Sequence, residues 1–121
     1  WAEWWDVPFR FPAAFPVRTV TALRVAIQAP EATAPLYRAV WAGGQDIGDI
    51  QVLSTVLSEA GLDATALIEG AQSPDIKQAL RDNTAGAIAA GACGVPTFTL
   101  GDELWWGQDR LDLVETALRR T

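Results

Sequence analysis

The apolar residues of this chain recur at helical spacing along most of its length and switch to strand-like alternation only near its two ends. Val7, Phe9 and Phe11 alternate with Pro8 and Arg10, a period of two that predicts a short strand. Pro8 and Pro12 cannot donate to a ladder, so that strand belongs at a sheet edge. Trp1 to Asp6, immediately before it, reads as the end of a helix. From Thr19 to Gln28, Val20, Leu23 and Ile27 fall at i, i+3 and i+7, which predicts one buried helical face that Pro30 terminates. A short helix from Ala34 to Ala42 tolerates Pro35 in its first turn and closes at Gly43-Gly44. Val52, Leu53, Val56, Leu57 and Ala60 then line one stripe of a helix that starts at Asp49 and ends at Gly61. A brief helical turn follows over Thr65 to Glu69. Ser73-Pro74-Asp75 combines a capping hydroxyl, a proline at the first helical position and an acid at the positive helix end. The helix it starts runs to Ala90, with Ile76, Leu80, Ala87 and Ile88 as its apolar face.

After Gly91 the period changes. Val95 to Leu100 and Glu103 to Trp106 are two strand-like runs joined by Gly101-Asp102, a two-residue loop of the kind that closes a tight β-hairpin. Beyond the hairpin, Leu111, Val114 and Leu118 predict the buried face of a last helix, with Arg119 and Arg120 at its negative end. No internal repeat or low-complexity linker interrupts this order.

Composition narrows what such a chain does. With 121 residues it fits one domain able to bury a core. Half of the residues are hydrophobic, at 50%, yet no run approaches the roughly 20 apolar residues of a membrane-spanning helix, so the expectation is a soluble protein. The net charge of −6 and the lack of any Lys/Arg block argue against nucleic acid as a partner. There is no histidine, and the scattered Asp46, Asp49 and Asp63 lack metal-ligand spacing, so metal catalysis is not expected. Cys93 is the sole cysteine and cannot form an internal disulfide; with no secretory signal at the start, a reducing cytoplasm is the expected setting. The chain opens on Trp1 and contains no methionine, the pattern of a fragment or a processed product.

Two segments carry candidate chemistry. In Gly94-Val95-Pro96-Thr97-Phe98 a proline occupies the first residue of a strand, where its missing N–H is not needed. The bond before it can be trans, as most X-Pro bonds are, or cis. In Trp105-Trp106-Gly107-Gln108-Asp109-Arg110 a strand ends and a helix begins with an amide and a carboxylate. Asp109 there is either a plain helix cap or a partner for a ligand ammonium group. Cys93 has no basic neighbour in sequence to activate it and is expected to be a buried structural thiol. Trp5, Trp41, Trp105 and Trp106 either line an aromatic pocket or fill a core or subunit interface.

Taken together, Gly94-Val95-Pro96-Thr97-Phe98, the Gly101-Asp102 hairpin and Trp106-Gly107-Gln108-Asp109-Arg110-Leu111 resemble the C-terminal block of 2-hydroxychromene-2-carboxylate isomerases. These are relatives of kappa-class glutathione transferases and of the DsbA family, and Phe11-Pro12 and Phe15-Pro16 add to the likeness. The resemblance implies an α/β, thioredoxin-like fold interrupted by an all-helical insertion, incomplete here because the first strand is missing. It divides the chain into a partial thioredoxin-like segment at 1–16, a helical insertion at 17–91 and the C-terminal thioredoxin-like hairpin and helix at 92–121. The absent first strand would lie between residues 7–11 and 95–100.

The same resemblance implies glutathione as cofactor and assigns residues to it. Pro96 matches the family's cis-proline, which leaves the main chain of Val95 to pair with the cysteinyl part of glutathione. Gln108 and Asp109 match the pair that holds the γ-glutamyl group, the ammonium suiting Asp109. Arg18 falls where kappa-class relatives place a lysine near the glycyl carboxylate, a task that a guanidinium performs with two hydrogen bonds; its plainer reading is a solvated arginine. The serine or cysteine that meets the glutathione sulfur would precede Trp1, so no catalytic residue is expected within this chain, and whether it is itself an enzyme stays open. The implied function is a glutathione-dependent isomerase of aromatic-degradation intermediates, in which thiolate addition replaces one high rotational barrier by two lower ones. The alternatives are a glutathione transferase, a DsbA-like thiol–disulfide oxidoreductase requiring a Cys-x-x-Cys pair, or a non-catalytic fragment. Expected partners are glutathione and a small aromatic substrate, and a homodimer is compatible with the pattern.

Overall fold

A computed structural model describes residues 1–120 of the chain. They divide into two units, Trp1–Leu80 and a second that begins at Arg81, each with its own internal contacts.

The first unit opens with a single turn, residues 2–6, closed in the way a helix C-terminus is. Val7 N–H donates to the Ala2 carbonyl (2.9 Å) and Asp6 N–H to that of Glu3 (3.3 Å), while Asp6 adopts φ +51°. This is the bonding pattern of a Schellman motif, with Asp6 at the left-handed position that short polar side chains tolerate. The strand expected over residues 7–11 does not form: the sheet among the described residues has two strands, both in the second unit. Arg10 N–H instead donates to the carbonyl of Trp41 at 2.7 Å. Alternation supplies a surface to pair, but a strand exists only where a neighbour accepts its main chain.

Four helices follow: α1 (Val20–Gln28), α2 (Thr33–Trp41), α3 (Ile50–Glu59) and α4 (Ala64–Gly70). Asp49 and Asp63 start α3 and α4 by accepting main-chain N–H groups, Asp49 from Gln51 and Val52, Asp63 from Ala66. A single core joins Ala22, Val25, Leu36, Val40, Ile47, Leu53, Val56 and Leu57 with several alanines. The buried face of α1 is Ala22 and Val25, continued by Ala29, whereas Val20 and Leu23 of the expected face are exposed. Small side chains let neighbouring helices approach, so the inward face of α1 is its less hydrophobic one. On α3 the expected stripe holds at Leu53, Val56 and Leu57, with Ala60 exposed at the C-cap.

The unit boundary falls within α5 (Pro74–Ala89), which starts as the sequence predicts, with Ser73 Oγ accepting the Ile76 N–H at 3.3 Å. No residue of α5 is buried, so the face expected from Ile76, Leu80, Ala87 and Ile88 is not enclosed, and Ala87 and Ile88 are exposed.

The second unit continues with β1 (Thr97–Leu100) and β2 (Glu103–Trp106), an antiparallel hairpin in register Thr97↔Trp106 to Leu100↔Glu103. Gly101 takes φ +57° and Asp102 does not enter the left-handed region, the φ pattern of a type II′ turn. A 3-10 turn (Gln108–Arg110) leads into α6 (Leu111–Leu118). The buried residue of α6 is Ala117, at 1% exposure, while Leu111 and Leu118 of the expected face lie outside. Arg120 pairs with Glu103 at 3.1 Å and Arg119 with Glu115 at 2.6 Å. Among the described residues no helix is long and apolar enough to cross a membrane.

Candidate functional site

Four of the five residues singled out from the sequence lie in the second unit, along one turn of chain before β1 and one after β2. The Val95–Pro96 bond is cis, as is Phe15–Pro16 in the first unit. Gly107 N–H donates to the Pro96 carbonyl at 2.9 Å, which extends the ladder by one bond and brings the proline segment beside the residue that precedes Gln108 and Asp109. Thr97 Oγ1 donates to the Gly94 carbonyl at 2.6 Å. Between these anchors Val95 is 87% exposed, and no hydrogen bond among the described residues engages its N–H or C=O. Its main-chain N–H and C=O are left unpaired in the exposed loop that precedes β1.

Gln108 and Asp109 stand exposed in the 3-10 turn. The expected capping role of Asp109 is not realised. The cap positions of the turn and of α6 are Gly107 and Arg110, neither with a side-chain cap, because the 3-10 turn carries Asp109 inside itself. Its carboxylate, 65% exposed, lies against Gly107 and reaches Arg110 Nε at 3.7 Å. At that exposure and distance the ion pair is weak and leaves the carboxylate able to take another cation.

Arg18 belongs to the first unit and follows the Pro16 segment. It is exposed, and among the described residues no ion pair reaches its guanidinium. Its carbonyl and Cβ pack where a side chain at Gly48 would otherwise sit.

Cys93 is exposed, contrary to the buried thiol expected. The segment it belongs to runs along the surface, with Gly91 and Val95 also exposed. The tryptophans are likewise not core: Trp5, Trp41 and Trp106 are exposed and Trp105 is half-buried. Trp41 stacks on Phe9 with ring centroids 6.2 Å apart and planes 7° from parallel. It also borders an open pocket of about 310 Å³ in the first unit, lined by Phe15, Val17, Leu23, Tyr37 and Ile47 among others. Sequence reasoning missed the contact between Trp106 and Gly94. A Cβ built on Gly94 would lie 2.6 Å from the indole Nε1. The hairpin loop already contained the signal, since a two-residue turn at Gly101-Asp102 fixes Thr97 opposite Trp106.

Compared with known families, the chain matches the DSBA-like thioredoxin domain over residues 1–119. The chain belongs to this family. As a DSBA-like domain it has the thioredoxin-like fold expected from the resemblance, here mixed helix with a small two-stranded sheet. A solved structure of 2-hydroxychromene-2-carboxylate isomerase (HCCA isomerase) superposes with a TM-score of 0.82 at 30% identity, covering 99% of this domain and 61% of that chain. A protein named 2-hydroxychromene-2-carboxylate isomerase from Sphingobium xenophagum is 34% identical over 122 residues, covering 98% of this chain and 63% of its own length. One of the same name from Pseudomonas putida is 35% identical over 127 residues, covering 99% and 61% respectively. The DSBA-like chain thus spans about three-fifths of the length of the curated relatives it matches.

Proposed function

We propose that this chain is the glutathione-holding part of a 2-hydroxychromene-2-carboxylate isomerase-type enzyme that acts on aromatic-degradation intermediates. What carries the reading is the likeness to isomerases of that name, at 34% and 35% identity over nearly the whole chain. Glutathione's place in it comes from the family resemblance, and the unpaired main chain of Val95 and the exposed carboxylate of Asp109 support it.

The open main chain of Val95 offers one N–H and one C=O, the pair that an extended peptide needs to add as a strand. Asp109 supplies a solvent-facing carboxylate for the γ-glutamyl ammonium, a charge-assisted bond. Gln108, beside it, offers both an amide donor and an acceptor for the same group. Pro96 holds its carbonyl in the ladder to Gly107 and so keeps that edge beside Gln108 and Asp109. When bound, glutathione would supply a thiolate able to add reversibly to an unsaturated substrate and free a double bond to rotate.

The test is calorimetric titration of glutathione into the chain and into Asp109→Ala, with a denaturation curve for each. Loss of a charged hydrogen bond corresponds to about 1.5–3 kcal/mol, or roughly one to two orders of magnitude in Kd. The unfolding midpoint is expected to stay in place, because Asp109 caps no helix. Equal affinity in the two proteins, or no saturable heat in either, sinks the assignment.

A further inference from the structure

We infer that the cross-strand pair Thr97–Trp106 is a positioning device that holds Gly94 and thereby presents Val95 as an open strand edge to the ligand. The inference rests on the glutathione reading for the identity of the ligand, while the geometry that carries it is independent of any ligand.

Thr97 and Trp106 face each other in the hairpin register, so their side chains leave the sheet on the same side. Both reach the same residue. The Thr97 hydroxyl donates to the Gly94 carbonyl at 2.6 Å. The nitrogen-bearing edge of the Trp106 indole covers the Cα of Gly94: an added Cβ would meet Nε1 at 2.6 Å, Cε2 at 3.2 Å and Cδ1 at 3.5 Å. Only glycine permits that approach, since any side chain at 94 would displace the ring. On the other side of Val95, the Pro96 carbonyl is fixed by Gly107 N–H. Residues 94 and 96 are therefore tied and residue 95 is left free between them.

Trp106 remains 55% exposed although it is the largest side chain type available. A core-filling tryptophan would be enclosed; this one packs along a main-chain segment at the surface instead. Without it, the exposed segment would sample conformations in which Gly94, and with it the unpaired main chain of Val95, is no longer held in place. Apparent affinity falls in proportion to the fraction of time the edge is competent, so an edge formed one-tenth of the time loses about tenfold. Trp106 and Thr97 act in this way through the main chain of Val95, as positioning residues.

A double-mutant cycle on the 121-residue chain tests this, with Trp106→Ala, Gly94→Ala and both together, and with Trp106→Phe and Thr97→Val beside them. Two readouts are taken: glutathione affinity by calorimetry and the Hα resonances of Gly94 by NMR, which an adjacent ring displaces. Those resonances should be displaced in the parent chain and in Trp106→Phe, and ordinary in Trp106→Ala. Affinity should fall about tenfold in Trp106→Ala and in Gly94→Ala, less in Thr97→Val, and return to within about twofold in Trp106→Phe. The double mutant should bind no worse than Trp106→Ala alone, because the new methyl then meets no ring. Thr99→Ala, an exposed change in the same hairpin, should alter neither readout. Undisplaced Gly94 resonances in the parent chain, unaltered affinity in Trp106→Ala, or simple additivity in the cycle would overturn the inference. Displaced resonances in a parent chain that binds no glutathione would support the positioning and sink the glutathione reading instead.

Discussion

The two units of this chain use their apolar residues in opposite ways. In the first, α1 to α4 turn Val25, Leu36, Leu53 and Leu57 inward onto one another, and the core closes within a run of sequence from Ala22 to Ala71. In the second, Ala117 is the buried hydrophobic residue among those described, and Leu111, Leu118, Ile88 and Trp106 stand largely exposed. What organises the second unit is main-chain and surface bonding: a four-residue ladder, the Gly107–Pro96 bond, the indole on Gly94 and the Arg120–Glu103 pair. A two-stranded hairpin is marginally stable on such terms. The contrast separates two tasks. The helical unit closes on its own core, and the hairpin unit leaves main chain and rings exposed at its surface.

The largest effect that tests this contrast comes from one substitution made in both units. Leu53, at 0% exposure, sits at the centre of the helical core, and Leu53→Ala should cost about 2–5 kcal/mol by urea denaturation. Leu111, at 52% exposure, should cost under about 0.5 kcal/mol on the same change. Equal costs would erase the distinction between a packed unit and an open one.

Two aspartates give a smaller effect of the same kind. Asp49 accepts the N–H groups of Gln51 and Val52 at 2.7 and 3.3 Å, so Asp49→Ala should lose about 1 kcal/mol. Asp109→Ala should leave stability unchanged and register only in ligand affinity. A midpoint shift in Asp109→Ala as large as in Asp49→Ala would restore Asp109 to a capping role. Smallest of all, Arg120→Ala should change stability by less than about 1 kcal/mol, since the Arg120 and Glu103 side chains are both more than half exposed. That difference should shrink further in high salt.

The features that were legible in the sequence are those determined by a few neighbouring residues. Ser73-Pro74-Asp75 and Asp49 start helices because a short side chain can reach main-chain donors two or three residues on, and Gly101-Asp102 closes the hairpin because glycine reaches positive φ. The features misread depend on what arrives from elsewhere. The inward side of α1 is decided by how closely other helices approach, which selects Ala22, Val25 and Ala29 over the larger Val20 and Leu23. Likewise Ala117 replaces Leu111 and Leu118 on α6. The alternation of Val7, Phe9 and Phe11 marks a surface capable of pairing, without saying whether a partner strand stands beside it. At the candidate site, the motifs place Pro96 just before a strand and Gln108 and Asp109 at a helix start, while the ligand roles of these residues and of Val95 come from the family resemblance alone. The surface position of Cys93 and the 3-10 turn that moves Asp109 off the cap could not, because each follows from main-chain geometry that no local pattern encodes.

The central claim, that the hairpin unit holds glutathione at the Val95 edge, is tested most directly by an NMR titration of the uniformly ¹⁵N-labelled chain with glutathione. Saturable amide shifts are expected at Val95 and its neighbours Gly94 and Thr97, and at Gln108 and Asp109, with the Val95 amide moving furthest as it gains a hydrogen-bond partner. Helix α3 should stay still. Shifts confined to other residues, or a Val95 amide that does not respond at saturating glutathione, would contradict the account.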